Sequence, residues 1–312
     1  MRRAFVGKGG SGKTTLSSLF LRYVHNQGKS VLAIDADINQ HLAEALGGER
    51  IELPALGNEM HRIKEYLRGT NPRIASADQM LKTTPPGNGS RLLKLSELNP
   101  VLDYFVRTVN GIRLMATGPF ADEDMGVACY HSKTGAVELI LNHLLDGPDE
   151  YVVVDMTAGA DAFASGLFTR FDLTVIVVEP TKKSLAVYEQ YRAYADPYKM
   201  PIVAIGNKVQ DESDKSYLRE KLGEALIGFL EYSRFVRQEE KNGPMNITGL
   251  EQTNQAILQV LETKVASTEK NWQRSLELAQ LFHRRNAESW ANALLGIDAT
   301  TQMDPNFQYP VD

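Results

Sequence analysis

A glycine-rich segment near the start of the sequence carries residue types that bind phosphate. Residues 7–14 fit the spacing G-x-x-x-x-G-K-[ST] and stand between a short apolar run and a helical pattern. Glycines let backbone N–H groups turn inward around an anion, and a helix that begins there points its positive end at the phosphates. Lys13 can then reach the β- and γ-phosphates, while the Thr14 hydroxyl can bind Mg²⁺. The segment predicts an ATP site whose contacts come from Gly9, Gly10, Ser11, Gly12, Lys13, Thr14 and Thr15.

Other polar residues follow apolar runs elsewhere in the chain. Asp35 and Asp37 come at and just after the end of one run, Asp155 ends another, and Asn207 with Lys208 follows a third. Short apolar runs of this kind are typical of parallel strands that are buried on both faces. The carboxyl ends of such strands border the ligand crevice of an open α/β sheet. We therefore expect these side chains to lie near bound nucleotide.

The alternation of apolar runs with helical stretches predicts a doubly wound α/β fold with a mostly parallel sheet, as in P-loop nucleotide-binding proteins. Helices are predicted over residues 182–195 and 214–222. Residues 103–117 predict a hairpin, because Asn110-Gly111 is a strong signal for a tight turn. The strands are predicted at residues 2–6, 31–34, 151–154, 173–178, 201–205 and 225–230.

The domain organisation follows from where the alternation of apolar runs and helical stretches continues along the chain. Residues 1–245 are predicted to form the ATPase domain, with an insertion at about 48–100 in which prolines and glycines interrupt the pattern. Residues 246–297 form a predicted helical extension, since Ile257, Leu261 and Val265 recur at helical spacing. Residues 298–312 are expected to be a loose tail.

Composition excludes several other classes of protein. The formal net charge of -5 provides no global attraction to nucleic acid or anionic lipid. No apolar stretch reaches the roughly 18 residues of a transmembrane helix. The single cysteine, Cys129, rules out an internal disulfide and fits a reducing compartment, so we expect a cytoplasmic protein.

A second lysine in the glycine-rich segment narrows the interpretation. Lys8 extends the match to K-G-G-x-G-K-[ST], which resembles the deviant phosphate-loop ATPases, the MinD/ParA and nitrogenase-iron-protein group. The resemblance implies that Lys8 reaches across a homodimer interface to the nucleotide of the partner subunit. It also implies that Asp37 positions or activates the attacking water, and that Asp35 supports Mg²⁺ and its waters.

The same resemblance extends to two later motifs. Asp155 opens a sequence similar to the second switch of the group, D-x-x-A-G, in which the acid would contact the Mg²⁺ shell and Gly159 would sense the γ-phosphate. Asn207 and Lys208 resemble the element whose Asn amide reads adenine N6 and N7. Members of the group often carry a proline after the last strand, whereas this chain has residues 230–232 as Leu-Glu-Tyr, so contacts to the base stay open there.

Residues 1–240 resemble, more narrowly, the CooC-type nickel-insertion accessory ATPases of carbon monoxide dehydrogenase. That family carries a Cys-x-Cys pair whose thiolates hold a metal between two chains, whereas this chain has Cys129-Tyr130-His131. Two interpretations stay open: Cys129 and His131 from two copies hold Zn²⁺ or Ni²⁺, or neither residue binds a metal. One cysteine per chain cannot supply the four thiolates of a bridging iron–sulfur cluster. The similar segments are residues 31–37, 110–114, 152–159, 177–185 and 206–209.

The expected function is that of a homodimeric switch that slowly hydrolyses ATP to ADP and phosphate and is stimulated by a partner. The resemblance implies a CooC-like maturation factor that loads metal or cofactor into a protein client. A ParA/MinD-type positioning ATPase acting on DNA, membrane or cargo is the alternative, although composition indicates neither nucleic acid nor membrane as a partner. A nucleotide-gated binding module that hardly hydrolyses ATP is a third interpretation.

Overall fold

The computed structural model describes residues 1–48, 51–119, 130–156, 161–266, 268 and 270–311. Within them, eight strands form one sheet in the order β10-β9-β8-β1-β7-β2-β5-β4, and two short strands, β3 and β6, pair separately. All neighbours in the large sheet run parallel except β4 and β5. The strands are β1 Arg2–Gly7, β2 Ser30–Ala36, β3 Leu93–Lys94, β4 Arg107–Val109, β5 Ile112–Ala116, β6 Leu144–Leu145, β7 Glu150–Met156, β8 Leu173–Val178, β9 Ile202–Gly206 and β10 Leu226–Phe229.

Helices cover both faces of this sheet. Successive residues of each central strand point to opposite faces and enter two separate apolar clusters, as Phe5 and Val6 of β1 do. The predicted doubly wound α/β fold is therefore confirmed. The helices are α1 Lys13–Asn26, α2 Leu42–Ala45, α3 Met60–Arg68, α4 Pro100–Phe105, α5 Tyr130–His143, α6 Asp161–Ser165, α7 Lys182–Ala195, α8 Glu212–Leu222, α9 Arg234–Asn242, α10 Gln252–Ala266, α11 Trp272–Asn286 and α12 Asn292–Leu295, and a π-helical turn, Ala287–Ala291, joins the last two.

The predicted hairpin is confirmed, with a change in its extent. Strands β4 and β5 pair antiparallel, and the turn residues Asn110 and Gly111 both have positive φ, +46° and +80°, as a two-residue hairpin turn requires. The hairpin is shorter than predicted because residues 103–105 belong to α4, whose first turn is capped by the Asn99 side chain. The hairpin closes one edge of the sheet.

The segment at about 48–100 packs onto the sheet rather than standing apart from it. It contains α3 and two 3₁₀ turns, Leu56–Asn58 and Ala77–Gln79. Its buried residues Ile63 and Leu67 join the same apolar cluster as the strands. The segment therefore contributes to the core on one face of the sheet.

The C-terminal part packs on both faces. In α10, the predicted apolar stripe of Ile257, Leu261 and Val265 is buried against one face, and Phe282 of α11 packs into the cluster on the other. Both helices therefore pack directly on the sheet, and the predicted helical extension is continuous with the rest of the core. The boundary between residues 245 and 246 stays a prediction.

The expectation of a loose tail after residue 297 is wrong for the described residues. Phe307 and Tyr309 are buried beside Leu145 and Trp272, and the Tyr309 hydroxyl donates to the Asn142 carbonyl at 2.6 Å. Two aromatic side chains, placed two residues apart, bury enough apolar area to order this stretch. Among the helices in the described part of the chain, none has the length and apolarity needed to cross a bilayer.

Candidate active site

The glycine-rich loop joins the end of β1 to the start of α1, as the motif requires. Gly10 and Gly12 have φ values of +80° and +93°, which side chains other than glycine adopt only with strain. The Ser11 N–H donates to the Lys8 carbonyl at 2.9 Å, and the Leu16 N–H donates to the Gly12 carbonyl at 2.9 Å, so the helix starts directly after the loop. No side chain within the described residues caps this helix start, and no acid lies in its first turn. Its backbone N–H groups are therefore suited to an anionic ligand.

Two residues after β9 hold the loop from one side. The Asn207 side-chain amide donates to the Ser11 carbonyl at 2.7 Å, and Lys208 Nζ donates to the Gly10 carbonyl at 2.5 Å. A side chain at position 12 would collide with the Asn207 amide, which is a second reason for glycine there. The structure thus brings Asn207 and Lys208 to the phosphate loop, while their predicted part in adenine recognition stays a prediction.

Asp35 and Asp155 lie side by side at the carboxyl ends of adjacent parallel strands. They are register partners between β2 and β7, and Asp155 is also opposite Phe5 of β1. Asp35 accepts the Asp37 N–H at 3.1 Å and the Leu42 N–H at 2.9 Å, so both of its oxygens shape the turn into α2. Burial raises the pKa of Asp35 to about 6, despite these hydrogen bonds. Its carboxylate already has a structural task.

Asp155 is buried in a different way. Neither of its carboxylate oxygens has a hydrogen-bond partner among the described residues. Burial raises the pKa of Asp155 to about 7, although the Lys13 charge and the Thr14 hydroxyl act in the opposite direction. A buried acid without a partner, beside a hydroxyl at the start of a helix, matches the oxygen ligands that Mg²⁺ prefers. Of the predicted metal ligands, Thr14 and Asp155 fit this ion best.

Lys13 is paired inside the site. Its ammonium lies 2.5 Å from Asp37 Oδ2, and the two side chains are only 10% and 5% exposed. The other Asp37 oxygen accepts the Asn39 N–H at 3.0 Å. The predicted phosphate-binding lysine and the predicted water-positioning acid therefore contact each other. Phosphate oxygens that enter the loop would compete with Asp37 for Lys13.

Lys8 occupies the outer side of the loop. Its side chain is 36% exposed, and its Nζ lies 3.4 Å from Glu179 Oε2. Glu179 also lies 2.9 Å from Lys208 through Oε1. Glu179 is not among the predicted site residues, although a signal for it exists: like Asp35 and Asp155, it is an acid at the end of an apolar run, here β8.

A cavity of about 690 Å³ opens next to the loop. It is bordered by the loop, by the end of β9 and by the segment after β10, which includes the 230–232 stretch that departs from the usual proline. This volume and position suit the base and sugar of a nucleotide whose phosphates lie in the loop. Its lining residues include Gly12, Asn207, Glu231 and Tyr232.

Three predicted site residues cannot be placed by side chain. Gly159 and Cys129 lie outside the described residues, and His131 belongs to α5 in a part of that helix whose side chains are not described. Among the side chains that the structure does describe, no group of three or more His, Cys, Asp or Glu is arranged to hold a metal ion. A magnesium ion that also binds phosphate and water needs fewer protein ligands than that.

Comparisons with known proteins point to one family. The model of the CobQ/CobB/MinD/ParA nucleotide binding domain matches residues 4–271. An uncharacterized ATP-binding protein of Methanocaldococcus jannaschii is 30% identical over 253 residues, which cover 79% of this chain and 91% of the relative. The carbon monoxide dehydrogenase accessory protein CooC of Rhodospirillum rubrum is 27% identical over 245 residues, covering 78% and 88%. A ParA family ATPase from Chlorobium tepidum has a similar fold, with a TM-score of 0.58 at 15% identity over 83% of this chain and 98% of that one.

Proposed function

This chain belongs to the CobQ/CobB/MinD/ParA nucleotide-binding family, and we propose that it is a Mg²⁺-dependent ATPase that works as a homodimeric switch. One observation carries the proposal: among the described residues, the buried Asp155 carboxylate lies beside the Lys13 ammonium and the Thr14 hydroxyl with no ordinary hydrogen bond of its own, at a helix start that no side chain caps. Such an arrangement destabilises the protein alone and is stabilised by a ligand that brings both phosphate and a divalent cation.

Binding of the triphosphate is assigned to the loop and Lys13. The N–H groups at the start of α1 and the Lys13 ammonium would neutralise the β- and γ-phosphates. Thr14 and Asp155 would hold Mg²⁺, with Asp35 stabilising the strand end next to them. When bound, the ion neutralises charge on the phosphate oxygens. Hydrolysis breaks the bond between the γ-phosphorus and the bridging oxygen, and a water oxygen takes its place on phosphorus.

Asp37 is assigned to the attacking water. In the present conformation its carboxylate is occupied by Lys13 at 2.5 Å. Once phosphate oxygens replace it as the partner of Lys13, the carboxylate is free to orient water for attack. The exchange would couple the turn after β2 to the presence of the γ-phosphate, and Gly159 would report the same phosphate from the other strand end.

Lys8 is assigned to the nucleotide of a second copy. The side chain of Lys8 is 36% exposed and lies on the outer side of the loop, whereas that of Lys13 is 10% exposed and faces the acids of its own subunit. An exposed lysine there can add positive charge to the transition state of a facing subunit, as an arginine finger does in trans. We therefore expect ATP to promote homodimerisation.

The base is assigned to the 690 Å³ cavity beside Asn207. The Asn207 amide nitrogen is held by the Ser11 carbonyl at 2.7 Å, which leaves the amide oxygen to accept from adenine N6. The second N–H of the same amide nitrogen can donate to adenine N7 while the first stays on the Ser11 carbonyl. Tyr232 after β10 lines the same cavity.

A maturation role with a protein client is supported by the CooC relative, which this chain matches over most of both lengths. Cys129 and His131 would then supply a shared Zn²⁺ or Ni²⁺ site in the dimer, and equal metal uptake by wild type and Cys129→Ala would refute that site.

The ParA-like fold supports the alternative, a positioning ATPase acting on DNA, membrane or cargo. Pelleting with DNA or lipid vesicles only when ATP is present would favour that alternative.

Calorimetry and turnover with magnesium and ATP test the ATPase. Wild type should bind Mg-ATP and hydrolyse it, Lys13→Ala should lower turnover by about 100-fold or more, and Lys8→Ala should bind nucleotide but lose dimerisation. Lys221→Ala is the control, because Lys221 pairs with exposed Glu220 on α8, and it should match wild type. Absence of Mg-ATP binding by wild type, or dimerisation of Lys8→Ala equal to wild type, would contradict the proposal.

A further inference from the structure

We propose that Glu179 is a positioning residue that restrains Lys8 within its own subunit and releases it when two nucleotide-bound copies meet. The inference rests on the proposed function, since it assumes that Lys8 acts on the nucleotide of a partner copy. It concerns what Lys8 does before that meeting. Its effect would be to oppose dimerisation until the facing phosphates offer more negative charge than Glu179 does.

Glu179 is well fixed beside the loop. It is the first residue after β8, which pairs in parallel with β1, and Gly7 is the register partner of Val177. Its N–H donates to Ser184 Oγ at 2.9 Å and its carbonyl accepts the Thr181 N–H at 2.7 Å, so the start of α7 holds its backbone. Only 8% of the residue is exposed. Its carboxylate is therefore held at a defined place on the loop.

The two lysines are bound to Glu179 unequally. Lys208 lies 2.9 Å from Oε1 and is also anchored to the Gly10 carbonyl at 2.5 Å, whereas Lys8 lies 3.4 Å from Oε2 and has no second hydrogen bond among the described residues. If Lys8 leaves, Lys208 still neutralises the buried carboxylate. Stranding a buried charge is costly, so this arrangement removes the main penalty for releasing Lys8.

The pairing of Lys8 is weak enough to be exchanged. Ion pairs in which one side chain is about a third exposed stabilise little, because water and salt screen them. A triphosphate carries several negative charges and accepts from lysine through many oxygens. The phosphates of a facing nucleotide would therefore replace Glu179 as the partner of Lys8. An isolated subunit has no facing nucleotide, so the exchange does not occur there.

Glu179→Gln tests the restraint, because it keeps the shape of the side chain and an oxygen for Lys208. Sedimentation equilibrium in saturating Mg-ATP should show a dimer dissociation constant about threefold lower than wild type, in line with the small strength of such pairs. Calorimetry should show the same affinity for Mg-ADP in the monomer. In the Lys8→Ala background, which is expected to remain monomeric, Glu179→Gln should not restore dimerisation. Far-UV circular dichroism and the unfolding midpoint establish that each variant is folded.

Glu212→Gln is the matched control, since it removes the same charge from an exposed pair with Arg219 on α8 and should leave the dimer constant unchanged. An unchanged or higher dimer constant for Glu179→Gln overturns the inference, and so does an effect that persists without Lys8. A parallel loss of Mg-ADP affinity also overturns it, because Glu179 would then act on the loop through Lys208. If wild type itself fails to bind Mg-ATP, the proposed function falls first.

Discussion

Two buried aspartates, one in the turn between β6 and β7 and one near the end of β7, have very different surroundings. Asp146, just before the strand, contacts Arg2 Nε at 2.7 Å, Lys270 Nζ at 2.6 Å and the N-terminal amine. Asp155, near the other end, has no hydrogen-bond partner among the described residues. Those cations hold the pKa of Asp146 far below its usual range against the effect of burial, whereas burial raises the pKa of Asp155 to about 7. Asp146 is compensated by cations of the chain, whereas Asp155 lacks such compensation among the described residues, as its proposed role at a magnesium ion requires.

The difference separates a stabilising charge cluster around Asp146 from the candidate nucleotide site around Asp155. Around Asp146, three distant parts of the chain are joined, because Arg2 belongs to β1 and Lys270 precedes α11. Around Asp155, the cation that acts on the carboxylate within the described residues is Lys13, which is itself paired with Asp37. Proteins that keep an uncompensated buried charge lose stability, which is explicable where a ligand later compensates it.

Removal of Asp146 should have the largest effect on stability. Asp146→Ala leaves Arg2 and Lys270 buried without their shared acid, so we expect the free energy of unfolding to fall by about 3–5 kcal/mol. Urea denaturation followed by circular dichroism measures it. Asp149→Ala, which breaks an exposed pair with Lys29, should leave the midpoint within experimental error. A loss of less than about 1 kcal/mol would show that the Asp146 cluster contributes little to the stability of the fold.

Asp155→Asn should act in the opposite direction on stability and strongly on turnover. We expect Mg²⁺-dependent hydrolysis to fall about 100-fold, while the metal-free variant unfolds at higher urea than wild type. Because the folded-state pKa of Asp155 is raised from 3.8 to about 7, its ionisation costs stability as pH rises through that interval. The stability that Asp155→Asn gains over wild type should therefore be largest above pH 7 and vanish near pH 4. A variant that is less stable than wild type at pH 8 without magnesium would remove the contrast with Asp146.

Tyr309→Phe should have the smallest effect on stability. It tests whether the last residues contribute to the stable part of the fold, as the Asp146 cluster does. The substitution removes the hydroxyl that donates to the Asn142 carbonyl at 2.6 Å, so we expect a loss of about 1 kcal/mol in the free energy of unfolding with turnover unchanged. Tyr194→Phe, at an exposed ring on α7, is the control and should match wild type. Equal stability of the two variants would mean that the end of the chain does not dock in solution.

The sheet and the position of the phosphate loop could be predicted from the sequence because both depend on local signals. Short β-branched apolar runs such as residues 173–178 favour a strand buried on both faces, and the glycine spacing fixes the loop between β1 and α1. The acids Asp35 and Asp155 could be placed at one edge because parallel strands end together. The prediction thus succeeded where the position of a residue along one strand determines its place in space.

Pairings between distant segments could not be predicted in this way. Nothing in the local pattern joins Lys8 to Glu179, or Lys270 to Asp146, since each partner is more than a hundred residues away. The end of the chain was misjudged for the same reason. Phe307 and Tyr309 look like isolated aromatics in a polar stretch, and only the surface formed by Leu145 and Trp272 gives them a place to pack.

The two outermost strands have a consequence for how copies of this protein can meet. Strand β4 has three residues, two of them exposed, Arg107 and Thr108, and β10 carries a bulge between Leu226 and Gly228. Short, charged or bulged outer strands are poor templates for adding a further strand from another molecule. Growth of the sheet from one molecule into the next is thereby discouraged. Copies that associate are therefore expected to use other surfaces.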